Sequence, residues 1–171
     1  MAPMISGMDR MATGLTILTL LASGAAAAMP SPLTVPRLLD ICLSSTVSEA
    51  TAKGNALGWG RMKDQETEEW RTNFLAYNGG SVDVIGWRRG ENEGDGLLSF
   101  WIAKGPNSHR ACSYSLAGPS KLLAALIEQL GTPGTSDKSD LGTTAYWKHG
   151  SMEVSFSQFG SSTIVNIAHN D

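Results

Sequence analysis

The chain is poor in the residues that assemble reactive sites. Its 171 residues include two cysteines and three histidines, and His109, His149 and His169 lie far apart. No HExxH or CxxC spacing occurs, so no local zinc motif can be drawn. The G-x-S-x-G turn that exposes a nucleophilic serine is also missing. Ser108-His109 and His149-Gly150-Ser151 bring serine beside histidine only as neighbours on turns. The glycines never form a phosphate-binding loop, and no cofactor is implied. Charge is sparse: 13 Lys and Arg against 16 Asp and Glu give a net charge of -3. That balance excludes the basic surplus of a nucleic-acid binder. Beyond residue 28 no apolar run approaches the roughly 20 residues of a membrane span. The acidic turns at 91–95 and 137–140 offer oxygen ligands but do not follow the calcium-loop order, and they read as solvated turns.

The N-terminus carries the clearest signal. Arg10 precedes the apolar stretch 15–22, which ends in Ser23-Gly24-Ala25-Ala26-Ala27-Ala28. A cation, a short apolar segment and small residues with A-x-A cleavage sites form an export signal, expected over 1–28. Residues 29–171 then make one domain of ordinary size. Export places the chain in the periplasm or medium, where an even number of cysteines favours a disulfide. Only the pairing Cys42–Cys112 is available. It closes a loop of about 70 residues, worth roughly 4 kcal/mol in loop-closure entropy.

Along the mature segment the pattern begins helical. Thr34 and Pro36 open a helix whose apolar stripe is Leu38, Leu39, Cys42 and Leu43. Ser48 is expected to cap a second short helix ending near Gly58. A third, over about 65–77, aligns Trp70, Phe74 and Tyr77 and stops at Asn78-Gly79-Gly80. Strands follow at 82–88, 97–103 and 110–116. The helix 121–130 buries Leu122, Leu123, Leu126, Ile127 and Leu130. After a polar loop at 132–143, strands are expected at 144–148, 152–158 and 163–169. The whole reads as α+β: an antiparallel sheet of about six strands, helices packed on one face, and an α-β-β-β pattern twice over.

Two strand ends stand out, Trp87-Arg88-Arg89 and Trp147-Lys148-His149. Each follows an aromatic with cations, residue types that recur in recognition hot spots. The plainer reading has the aromatics filling a sheet face while the cations keep the strand ends wet. The order of helices and strands loosely resembles that of the secreted inhibitors of β-lactamases, in element order alone; none of that family's motifs is matched and no residue role is carried over. With no catalytic or metal cluster visible, the expectation is an exported, non-catalytic protein that binds another protein or an envelope component. Two alternatives differ in what the fold must hold. A small periplasmic hydrolase needs two or more of Asp83, His109, Arg110, His149 and Glu153 converging in a cleft with shifted titration. A binder of a small apolar ligand needs a cavity between helix and sheet.

Overall fold

The computed structural model describes residues 32–92, 94–118 and 120–170. The expected export signal, 1–28, lies outside the described residues. The elements run α1 (Val35–Cys42), α2 (Val47–Asn55), β1 (Gly60–Arg61), α3 (Asp64–Asn78), β2 (Ser81–Arg88), β3 (Leu97–Lys104) and β4 (His109–Ala117), then α4 (Leu122–Leu130), β5 (Thr135–Lys138), β6 (Gly142–His149), β7 (Met152–Phe159) and β8 (Ser162–His169). All eight strands form one antiparallel sheet in the order β1-β2-β3-β4-β8-β7-β6-β5.

The fold is α+β, as the pattern implies, with two corrections to the finer expectation. The sheet has eight strands rather than about six. The additional ones, β1 and β5, are edge strands of two and four residues whose side chains are all exposed. Without a buried face they carry no apolar alternation to read. Helices also occupy both faces rather than one. Period-two alternation puts Ile85 and Trp87 on one face and Val84 and Gly86 on the other. Trp87 meets α2, because a Cβ on Gly54 would fall onto its indole. Gly86 instead faces Trp70 of α3, and Phe74 stacks on Trp101 at 4.4 Å between ring centroids. So α1, α2 and α4 cover one face, and α3 covers only the β1–β3 end of the other.

Rows of register partners cross the helix-covered face and form the core. One runs Trp87, Leu98, Tyr114, Val165, Phe156 and Ala145; its neighbour runs Ile85, Phe100, Cys112, Ile167, Val154 and Trp147. All twelve are buried. A disulfide joins Cys42 of α1 to Cys112 in the middle of this surface, with Cα atoms 5.4 Å apart.

The spatial order is symmetric about the β4–β8 seam, and the symmetry reaches side chains. α2 and α4 are both nine residues long, and each is followed by four residues (56–59, 131–134) before an edge strand. The strand beside that edge in each half carries a fully buried tryptophan hydrogen-bonded to the C-terminal end of α2 or α4. Trp87 donates its Nε1–H to Asn55 Oδ1 at 2.9 Å, and Trp147 donates to the Gly131 carbonyl at 2.8 Å. Each half is therefore a helix followed by four strands, one more than the expected three. Helix α3 is an insertion between β1 and β2 that the second half lacks.

Helix α2 starts two residues earlier than a cap at Ser48 implies. Thr46 is the cap, its Oγ1 accepting the Glu49 N–H at 3.1 Å. The Glu49 carboxylate is lowered from 4.5 to about 2, first by the Lys53 ammonium and then by the N–H and hydroxyl of Ser45. A carboxylate whose folded value is depressed adds stability that is complete above its ordinary value. That stability is lost as pH falls through the folded value. Glu49→Gln should therefore differ most from the parent near neutral pH. The two unfolding midpoints should converge as pH drops from 4.5 towards about 2, which thermal melts across that range would measure.

Candidate functional site

The aromatic-cation strand ends do not form a surface site together. Trp87 is 0% exposed and Trp147 1%. Both indoles point into the core, because they share a face with Ile85 and Ala145 respectively. Their neighbours reach solvent at separate places. Arg88 lies 3.9 Å from Glu66 of α3, and exposed Arg89 sits beside it on the β1 side. Exposed Lys148 of β6 pairs with Glu153 of β7 at 2.7 Å on the other side of the β4–β8 seam, and His149 lies at the β6–β7 hairpin. Lys148, with a bond from Tyr146, holds Glu153 below the usual carboxylate range.

A serine–histidine pair does form, and its polarity argues against a nucleophile. Ser151 Oγ lies 2.9 Å from His169 Nε2, and Arg110 Nη2 lies 3.0 Å from His169 Nδ1. A guanidinium can only donate, so Nδ1 accepts and the neutral ring carries its proton on Nε2. That N–H points at Ser151, which therefore accepts rather than surrendering a proton. A base that activates serine needs the opposite tautomer, held by a carboxylate. Arg110 also donates to the Ser44 carbonyl at 3.3 Å. The chain of contacts ties the β6–β7 hairpin through β8 and β4 to the α1–α2 linker.

His109 is fixed in the complementary way. Trp101 donates its Nε1–H to His109 Nε2 at 3.1 Å, and the Asn107 carbonyl lies 2.9 Å from Nδ1. An indole only donates and a carbonyl only accepts, so the proton is on Nδ1. His109 belongs to the opposite face from His149, as their register rows show. Asp83 and Arg110 line one cleft of about 450 Å³ with Lys104 and Ser108, but neither His109 nor His149 lines it. Among the described residues no three His, Cys, Asp or Glu gather as metal ligands. At the first acidic turn the Asp95 carboxylate accepts from the Asn92 N–H and side-chain amide, closing the turn on itself.

The feature that sequence reasoning missed is the uncovered part of the second face. One register row there runs Ser99, Ser113, Asn166, Ser155, Tyr146 and Thr135. The row beside it runs Leu97, Ser115, Ile164, Ser157, Thr144 and Asp137. Small hydroxyl and amide groups thus pave the surface between α3 and the β5 edge. Trp70 and Phe74 of α3 wall a depression of about 230 Å³ at one end, floored by Ser99, Ser113 and Ile164. A second depression of about 210 Å³ lies between Thr135, Tyr146 and Ser155 at the other. Phe159 and Ile164, diagonal neighbours on this face, are both exposed. The signal was available in the alternation of 152–157, whose polar positions Glu153, Ser155 and Ser157 define the open side. Comparison of the chain with protein-family models, with characterised proteins and with solved structures finds no match.

Proposed function

We propose that the protein is exported to the periplasm or medium and binds another protein, or a protein component of the envelope, through the uncovered face between α3 and β5. The observation that carries this reading is the unequal treatment of two equivalent halves. Where α3 lies, the sheet under it presents Val84, Gly86 and Trp101. In the half without such a helix, the same face presents Thr144, Ser155, Ser157 and Asn166, with Tyr146, Ile164 and Phe159 among them. Tyrosine, serine and asparagine are the residues with which antibody loops build adaptable, hydrogen-bonding contact surfaces. A platform of hydrogen-bonded strands holds them with little backbone entropy left to lose. The disulfide agrees with an oxidising compartment, and among the described residues no helix is long and apolar enough to cross a membrane.

The hydrolase alternative has less support: the contact between Ser151 and His169 has the wrong polarity, and the cleft lined by Asp83 and Arg110 is lined by neither His109 nor His149. The test is site-specific photocrosslinking in cells. A crosslinking residue at Ser157 should give one discrete protein adduct, while the same residue at Lys121 on the helix-covered side should give none. Asn166→Arg should cut the Ser157 adduct about tenfold or more, as loss of a central contact does. Its thermal midpoint should match the parent, as for surface changes generally. Equal adducts at both positions, or a Ser157 adduct indifferent to Asn166→Arg, would overturn the reading. The crosslinked chain, isolated from the periplasm or medium, should begin near residue 29.

A further inference from the structure

The cleft of about 450 Å³ that holds Asp83 and Arg110 lies between the α1–α2 linker and the ends of β2, β3 and β4. It opens on the helix-covered side of the sheet, away from the uncovered face. Its floor is one register row, Asp83, Ile102 and Arg110, with Lys104 the next residue on that side of β3. Asp83 alternates with buried Ile85, and Arg110 with buried Cys112, so all four side chains rise on the same face. Ser45, Thr46 and Val47 form the roof. Ile102 and Val47, both partly buried against the core, supply the apolar surface. The volume falls in the range of small-molecule sites.

Most of the polar side chains around this cleft already have partners within the chain. Ser45 Oγ donates to Glu49 Oε2 at 2.9 Å, and Thr46 Oγ1 accepts the Glu49 N–H at 3.1 Å. Glu49 is in turn paired with Lys53 at 2.8 Å. The start of α2 is thus closed by its own side chains and leaves no place for an anion. Ser108 Oγ donates to the Gly105 carbonyl at 2.6 Å. Arg110 donates to the Ser44 carbonyl and to His169, which fixes the linker over the floor. Two lining groups are left over. Asp83 and Lys104 form no ion pair or side-chain hydrogen bond with any described residue. They are diagonal neighbours, because Lys104 stands opposite Ser81 and Asp83 opposite Ile102. Diagonal positions lie roughly 7–8 Å apart, so a ligand carrying both signs can join them.

We infer that this cleft binds a small zwitterion, a free α-amino acid with an apolar side chain. Its ammonium lies on Asp83, its carboxylate on Lys104, and its side chain over Ile102 and Val47. An amino acid carries its two charges on adjacent carbons, so it meets both groups at once through charge-assisted hydrogen bonds, the stronger kind. The apolar floor adds a preference for an aliphatic side chain over none.

The probe is L-leucine, titrated into the purified protein and followed by two-dimensional NMR. Saturable shifts are expected around Val47, Asp83, Ile102 and Lys104, with none on the uncovered face. Each charge is then removed from the ligand in turn. Isocaproate lacks the ammonium and isopentylamine lacks the carboxylate. Each should bind about tenfold more weakly than leucine, the loss of one charge-assisted bond. Glycine, which cannot cover the floor, should also bind about tenfold more weakly. On the protein side, Asp83→Asn should weaken leucine about tenfold but leave isocaproate unchanged. Lys104→Met should weaken leucine equally but not weaken isopentylamine. Both positions are exposed, so neither thermal midpoint should move. Crossed losses of this kind separate direct contact from damage to the fold. Leucine binding no tighter than both analogues, or indifferent to both variants, would overturn the assignment. So would the absence of saturable shifts at millimolar leucine, or equal affinity for leucine and glycine.

Discussion

Trp87→Ala and Trp147→Ala should each destabilise the protein by about 3–5 kcal/mol, the usual cost of deleting a large buried aromatic. In a domain of this size that corresponds to a fall of roughly 10–15 °C in the unfolding midpoint. The two losses should be alike, because the residues do the same thing in the two halves. Each fills a core row and donates its indole N–H to the C-terminal end of its half's helix, α2 for Trp87 and α4 for Trp147. Phenylalanine at either position should separate these contributions. It restores most of the packing but leaves a polar acceptor without its donor, so the remaining deficit should be about 1–3 kcal/mol. Differential scanning calorimetry of the four variants would decide it. If Trp147→Ala were near neutral while Trp87→Ala were severe, the halves would not share a common stabilising scheme. The same experiment bears on recognition, because loss of partner binding in either alanine variant reports unfolding rather than contact.

Breaking the disulfide should cost about 4 kcal/mol, since the bridge spans 70 residues and removes the corresponding loop entropy from the unfolded chain. The midpoint of Cys42→Ser/Cys112→Ser should fall by roughly 10 °C or more. Dithiothreitol should lower the parent's midpoint in the same way and leave the double variant unchanged. Chain made and kept in a reducing compartment should melt like the variant. A parent melt insensitive to reductant would show that the cysteines are not bridged. The bridge acts on the first half alone: it pins α1 to β4, while α4 is held over its own strands by packing and by the Trp147 bond.

How much of this was legible follows from residue patterning. The run 97–103 and the alternation at 152–157 mark strands without help from tertiary structure, and Leu122, Leu126 and Leu130 mark α4. The coverage of two faces was also written in the chain. In β2 both Val82 and Val84 on one side and Ile85 and Trp87 on the other are buried, and such continuous apolar runs belong to strands covered twice. The aromatic stripe of α3 was misleading in one respect. Tyr77 is 73% exposed, while Thr67 and Asn78 are buried instead, because the helix settles on the sheet through a narrower line than its aromatics suggest. The site was hard to read for a different reason. Its serines and asparagine are scattered through four strands, and they become neighbours only through a register that pairs Ser113 with Asn166 and Asn166 with Ser155. No local spacing can encode that.

The seam between β4 and β8 also governs the order in which the protein can assemble. Each meander joins strands that are close in sequence, so either can form early at small entropic cost. The contacts that unite them wait for residues 162–169, which sit in the middle of the sheet although they come after the other seven strands. Until that segment arrives, β4 and β7 each show a bare edge, with hydrogen-bonding groups open to other chains. The sheet thus cannot lock before its last strand is made: the keystone enters last.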